Sequence, residues 1–273
     1  MGIIFIVIVI LALSYALLIM PRVTMRPDMS GINTDYAHRG FFDNSDGVPE
    51  NSLAAFKYAV LGEFGIELDI QLTADGEVVV FHDYTLKRMC GEDVKLSSLT
   101  LAELRQYRLA DTNYGIPTLK EVLKLVDGRV PLLIELKGEN GDTSLCVAAT
   151  KILDTYDGAY SVESFNPLLL RWFKKKRPDV VRGQLVTNLF KAKQGGSFFR
   201  NLVLTGMLTN CLSRPDFIAI DERCLRAFPV TLCTSLFGTK LFVWTVRKKE
   251  HFDINRENGD CSIFEGFDPT ADN

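Results

Sequence analysis

Residues 36–91 read YAHRGFFDNSDGVPENSLAAFKYAVLGEFGIELDIQLTADGEVVVFHDYTLKRMCG. The stretch opens on a short apolar run that stops at His38. A helical pattern follows, SLAAFKYAVLGEF, with Asn51 as its expected N-cap. Next comes a strand pattern, IELDIQL, and then another, EVVVFH, that closes at His82. Strand, helix and strand in this order point to a parallel α/β arrangement.

The same alternation continues outward from this block. Strands are expected at 34–37, 66–72, 77–82, 130–136, 160–165, 180–186, 216–220, 241–246 and 261–265. Between most of them lie helical patterns. TLKEVLKLVDG follows Pro117 and closes at Gly128, a suitable C′ glycine. SLCVAATKIL, PLLLRWFKKK and the stretch near 247–257 also read as helices. Strands and helices alternating from residue 34 onward suit a (β/α)₈ TIM barrel, which typically needs about 250 residues. The barrel is expected over 34–273. The candidates exceed the eight places of such a barrel by one, so one of them is a misreading or lies outside it. No internal repeat or second domain is visible.

Upstream, residues 3–20 read IIFIVIVILALSYALLIM, without a single charge. As a helix this run spans about 27 Å, close to the roughly 30 Å core of a bilayer. Residues 1–21 are therefore expected to be a membrane anchor, and 22–33, with Pro27 and Gly31, a linker. A cleaved signal sequence is the alternative, but no basic segment precedes the run and apolar residues continue past Ser14-Tyr15-Ala16. Arg22 and Arg26 follow it, so by the positive-inside rule the bulk of this single-pass chain is expected in the cytoplasm.

Over the 273 residues, 47% are hydrophobic and 24% charged, which excludes a disordered, fibrous or coiled-coil protein. The net charge of −3 lacks the basic excess of a nucleic-acid binder. Six scattered cysteines form no CxxC pair and read as thiols without a disulfide or zinc framework.

Glu67 and Asp69 are two apart on one strand and so share a face. Glu135 and Lys137 stand in the same relation in PLLIELKGE. Two acids on one face of an apolar strand are costly when buried unless a cation joins them. In a barrel the functional face lies at the C-terminal ends of the strands. There His38, His82 and the three carboxylates converge, with Lys137 beside them. Three carboxylates suit one hard divalent cation, Mg²⁺ or Ca²⁺. The histidines are then free for proton transfer, and Arg39 and Lys137 complement a phosphate. Acid, base and divalent ion are what phosphodiester cleavage requires.

HRG, PEN, G-x-E-x-D-x-Q-x-T-x-DG, HD and E-x-K together resemble the glycerophosphodiester phosphodiesterases. The likeness covers about 34–265 and continues as SVESFNP, GQLV and VWTV. It implies a TIM barrel that hydrolyses glycerophosphodiesters to sn-glycerol 3-phosphate and an alcohol. It also implies His38 and His82 as the acid/base pair, Glu67, Asp69 and Glu135 as metal ligands, Arg39 and Lys137 as phosphate contacts, and Trp244 as a pocket wall. Ser52 replaces the usual Thr after PEN. The closing segment SIFEGFDP lacks the Asp-Arg pair of the usual GIITDRP. The expected partners are a glycerophosphodiester or related lipid-derived substrate and the membrane, with no nucleic acid. The rival readings are a lysophospholipase D-like enzyme acting on intact lipid and an inactive, membrane-tethered barrel. Phe165 is expected in the core and His251 on the surface. Glu50 and Asn51 are open between a site role and a loop brace. The basic run Lys174, Lys175, Lys176 and Arg177 is either a solvated helix end or a contact for anionic headgroups.

Overall fold

The computed structural model describes residues 1–138, 141–190 and 197–271; residues 139–140, 191–196 and 272–273 of the expected barrel lie outside this description. Among the described residues the strands are β1 (Tyr36–Ala37), β2 (Gly65–Leu72), β3 (Val78–Val80), β4 (Leu132–Leu136), β5 (Tyr160–Ser164), β6 (Arg182–Val186), β7 (Phe217–Asp221), β8 (Lys240–Val246) and β9 (Cys261–Phe264). All but β3 run parallel in the order β1-β9-β8-β7-β6-β5-β4-β2, and β1 pairs back onto β2 to close the barrel. All nine expected strands form, and the surplus one is β3. It lies antiparallel along the last residues of β2, with Ile70 opposite Val80 and Leu72 opposite Val78. The reason is the connection. Thr73 N–H bonds the Glu77 carbonyl at 3.0 Å, closing a hairpin, whereas a parallel crossover needs a dozen or more residues. β1 is only two residues long, which leaves that edge of β2 free.

Alternation sorts each strand between two cores. Ile66, Leu68 and Ile70 of β2 and Leu132, Ile134 and Leu136 of β4 pack outward against the helices. Leu133, Phe217, Ala219, Phe242 and Ile263 fill the lumen. Gly183 is required by close approach: a Cβ there would lie 2.1 Å from the Phe217 ring. The helix Leu53–Leu61 starts one residue later than expected. Ser52, whose hydroxyl accepts from Ala55 N–H, is its cap, and Asn51 is not. Thr118 and Glu121 form a capping box for Leu119–Val126, which ends through Asp127 and Gly128 at positive φ.

The N-terminal run is a helix, Gly2–Ile19, long and apolar enough to cross a membrane, and only 6% of it is buried. Its last turn is docked on the barrel, where Ile19 is fully buried. Residues 22–33 do not stand free: Arg22 pairs with Asp216 at 3.2 Å, and Ile32 is buried with Tyr36 and Leu133 beneath the lumen.

Candidate active site

The lumenal face of β2 carries Glu67, Asp69 and Gln71 toward the C-terminal ends of the strands. Strand register sets their neighbours. Asp69 lies directly beside Glu135, and Glu135 directly beside Glu163 of β5. Glu67, Asp69 and Glu135 are buried, and each offers an oxygen within 4.8 Å of the others. Lys137, one alternation beyond Glu135, bridges Glu135 at 2.9 Å and Asp69 at 3.1 Å.

The histidines arrive from two different structures. His38 directly follows β1, and its N–H bonds the Phe264 carbonyl of β9 at 2.9 Å. Its Nδ1 lies 2.5 Å from Glu265 Oε2, while Nε2 lies 3.9 Å from Glu67. His82 leaves the off-barrel strand β3, and Gln71 holds it in place. The Gln71 amide donates to the Phe81 and Asp83 carbonyls at 2.8 Å each, and Phe81 N–H donates to the Asp69 carbonyl at 2.9 Å. His82 Nδ1 lies 2.6 Å from Asp83. Asp83 and Glu50 share the Arg88 guanidinium, and Glu50 also takes Arg39 Nη1 at 2.6 Å. One ionic chain thus runs from His82 to Arg39. Asn51 is part of the site, since its amide donates to Asp69 at 2.9 Å. Both Arg39 and Asn51 sit at positive φ, which turns the two chain segments into the strand ends.

Carboxyl groups outnumber the cations that face them. Burial, reinforced by Asp69, Glu163 and Glu135, pushes Glu67 well above the usual carboxylate range. Burial and the same neighbours do likewise to Glu163. Asp69 is held low, because Lys137, His82 and Arg39 outweigh its burial. Four buried carboxylates, at positions 67, 69, 135 and 163, face Lys137 and an Arg39 already shared with Glu50. Glu163 Oε2 has no hydrogen-bond partner among the described residues, and Asp69 Oδ1 is met by Lys137. Oxygen donors in excess of cationic partners, close together and buried, fit a hard divalent cation.

A cavity of about 240 Å³ opens over this cluster. His38, Arg39, Glu67, His82, Glu135 and Trp244 line it, and Asp69 and Lys137 lie just beneath. His38, His82, Glu67, Asp69, Glu135, Arg39, Lys137 and Trp244, expected at the site, are therefore brought to one place. Phe165 is a correction. It is 36% exposed and lines the cavity, edge-on to Trp244 with ring centroids 5.7 Å apart. It follows Ser161 and Glu163 on the lumenal alternation, so it cannot reach the outer core. His251 lies at the surface as expected, partly buried and paired with Glu222 at 2.5 Å. Three groups escaped the sequence reading: Glu163, Glu265 and Arg247. The last two form an ion pair at 2.6 Å. The closing segment thus lacks the usual Asp-Arg pair, but Glu265 and Arg247 of the adjacent strand end supply a carboxylate and a guanidinium in its place. Glu265 is held at about 2, because its bonds to His38 and Arg247 outweigh burial.

Fold and site together define a (β/α)₈-barrel hydrolase of phosphoric diesters. Residues 38–264 match the model of the glycerophosphoryl diester phosphodiesterase family, and the chain belongs to that family. A glycerophosphodiester phosphodiesterase of Caldanaerobacter subterraneus is 31% identical over 239 residues, covering 80% of this chain and 87% of the relative. A lysophospholipase D of Rattus norvegicus is 38% identical over 104 residues, 33% of each chain. The crystal structure of a glycerophosphodiester phosphodiesterase from Thermotoga maritima superposes with a TM-score of 0.65 at 29% identity, covering 85% of this chain and 94% of that one.

Proposed function

We propose that the chain hydrolyses glycerophosphodiesters to sn-glycerol 3-phosphate and an alcohol, with His38 and His82 exchanging protons and one divalent cation, Mg²⁺ or Ca²⁺, held by Glu67, Asp69 and Glu135. The observation that carries this reading is the matched pair of imidazoles. Each has Nδ1 tied to its own carboxylate, Glu265 or Asp83, which leaves Nε2 for the substrate. Burial keeps His38 below its ordinary value despite Glu265, so it is a neutral base near pH 7. His38 takes the proton of the attacking hydroxyl at Nε2, and Glu265 stabilises the imidazolium that forms. A glycerol hydroxyl is the first nucleophile, and water completes the hydrolysis. His82 gives its Nε2 proton to the departing alkoxide while Asp83 and Arg88 hold the ring. The bound cation supplies screening of the charge on the phosphoryl oxygens. Arg39 and Lys137 hold the phosphate. In support, Arg39 Nε and Trp244 Nε1 are buried donors with no hydrogen-bond partner among the described residues, ready for substrate oxygens. Trp244 and Phe165 wall the pocket.

The helix Gly2–Ile19 serves as an uncleaved single-pass anchor for a barrel on the cytoplasmic side. In support, its last turn is built into the barrel surface and Arg22 and Arg26 follow it. The decisive experiment is turnover of glycerophosphocholine and other glycerophosphodiesters by the full chain, with and without chelator. No turnover of any diester under loaded conditions would reject the reading and leave a tethered, inactive barrel. The apolar wall of Phe165, Leu185 and Trp244 favours one second reading, a lysophospholipase D-like activity. Parallel assay of lysophosphatidylcholine against glycerophosphocholine separates the two.

A further inference from the structure

The contacts of the anchor fix the direction in which it leaves the barrel. Tyr15 hydroxyl donates to the Gly206 carbonyl, Asn210 amide donates to the Ile19 carbonyl at 2.9 Å, and Arg214 donates to the Met20 carbonyl at 2.8 Å. Residues 206–214 therefore run alongside the anchor in the same direction. The helix Phe228–Phe237 does the same: Phe228 stacks on Tyr15 with centroids 6.1 Å apart, Cys233 Sγ contacts the Ile19 carbonyl, and the Phe237 carbonyl takes Arg26. That helix follows β7, so its N-terminal end stands at the C-terminal ends of the strands, where the catalytic cavity opens. Residues 2–14 consequently project outward on the side of the catalytic mouth.

The length of the helix adds a second constraint. All 18 residues reach about 27 Å, but the part clear of the barrel, 2–14, spans only about 20 Å, well short of a bilayer core of roughly 30 Å. The docked last turn must then lie within the membrane's interfacial depth, and the barrel surface beside it with it. That surface is apolar. Phe228, at the level of Tyr15, is 68% exposed. Leu202, one turn before Gly206, is 47% exposed, and Phe198 and Phe199, at the N-terminal end of the helix Phe198–Thr205, are 71% and 73% exposed. Exposed aromatic side chains clustered beside a membrane span are what an interfacial contact requires. A cleft lined by Arg200 and Leu204 of that helix shares Phe165 and Leu185 with the catalytic cavity.

The geometry points to a barrel seated mouth-down on the bilayer, with Phe198, Phe199, Leu202 and Phe228 in the acyl–headgroup boundary and the catalytic cavity opening onto the lipid surface. This rests on the reading of Gly2–Ile19 as a membrane anchor. It places the basic run Lys174, Lys175, Lys176 and Arg177, at the C-terminal end of the helix Pro167–Lys176, on the opposite face, away from the bilayer.

The test uses the full chain in phosphatidylcholine vesicles carrying acyl-brominated lipid. Phe198→Trp and Phe228→Trp are compared with Leu61→Trp, at the exposed C-terminal end of the helix Leu53–Leu61 on the far face. Emission is read as the increment over the parent chain, which carries Trp172 and Trp244. The increments at 198 and 228 should fall by at least half with brominated lipid, and that at 61 should be unchanged. A chain that floats with the vesicles but shows no quenching at 198 and 228, or quenching at 61, overturns the seating and leaves the anchor intact. A chain that fails to float overturns the anchor reading and the seating with it.

Discussion

Glu265→Gln isolates the charge that faces His38. Glu265 Oε2 lies 2.5 Å from His38 Nδ1, its other oxygen lies 2.6 Å from Arg247, and both side chains of the His–Glu pair are only about one-sixth exposed. Gln keeps the size and an acceptor oxygen but removes the charge. The loss falls on the moment when His38 carries the extra proton, because the carboxylate then faces an imidazolium. A hydrogen bond to a charged group contributes about 1.5–3 kcal/mol net, so turnover should fall roughly 10- to 150-fold. Glu265 acts through His38, as a positioning residue, so KM should hardly move. The sign of the pH effect also follows. Burial lowers His38, and Glu265 is one of the groups that raise it. Without that charge the imidazole protonates at lower pH. The neutral base survives further into acid, and the acid limb of kcat/KM moves to lower pH even as the rate falls. Glu265→Asp, charged but a methylene short, should recover part of the rate. The assay is steady-state turnover of glycerophosphocholine from pH 4 to 9. Turnover within threefold of the parent, with an unmoved acid limb, would refute the argument that Glu265 holds the base.

Excess chelator should abolish turnover and added Mg²⁺ or Ca²⁺ restore it. Glu67→Gln should raise the metal concentration needed for half activity at least tenfold with little change in melting temperature, and full turnover in chelator rules the cation out. His82→Ala should lose about 10²–10⁴-fold on a natural diester yet recover much of that on a diester with an acidic phenol leaving group. His38→Ala should not recover, and the opposite pattern would exchange the two roles. Arg182 is fully buried, donating to the Ser213 and Arg214 carbonyls at 2.8 Å, with Asp216 at 3.9 Å. Arg182→Met strips these partners at a cost of about 3–5 kcal/mol, a drop of roughly 6–20 °C in Tm at 2–4 °C per kcal/mol, and an unchanged melt would show the cluster to be dispensable.

What could be read along the chain were properties with a short period. Side chains two apart share a strand face, so the sequence alone pairs Glu67 with Asp69 and Glu135 with Lys137. An eighteen-residue uncharged run is equally local, and so are the motifs that carry the family resemblance. Asn51 shows where local reading fails. Asn and Ser both suit an N-cap, and only the position of Asp69 across the barrel decides that Asn51 turns to the carboxylate while Ser52 caps the helix. Phe165 read as core because an aromatic residue after a strand has no local sign of which face it takes. Glu163 became part of the site through register, since the hydrogen-bond ladder sets it beside Glu135. Glu265 reaches His38 across 227 positions because β9 closes the barrel onto β1. The direction of the anchor likewise came from contacts between its last turn and residues some 190 positions away. Periodicity is a property of one strand or helix and is written in its residues. Register, closure and docking are set by hydrogen bonds and packing between segments far apart in the chain, and those exist only once it has folded.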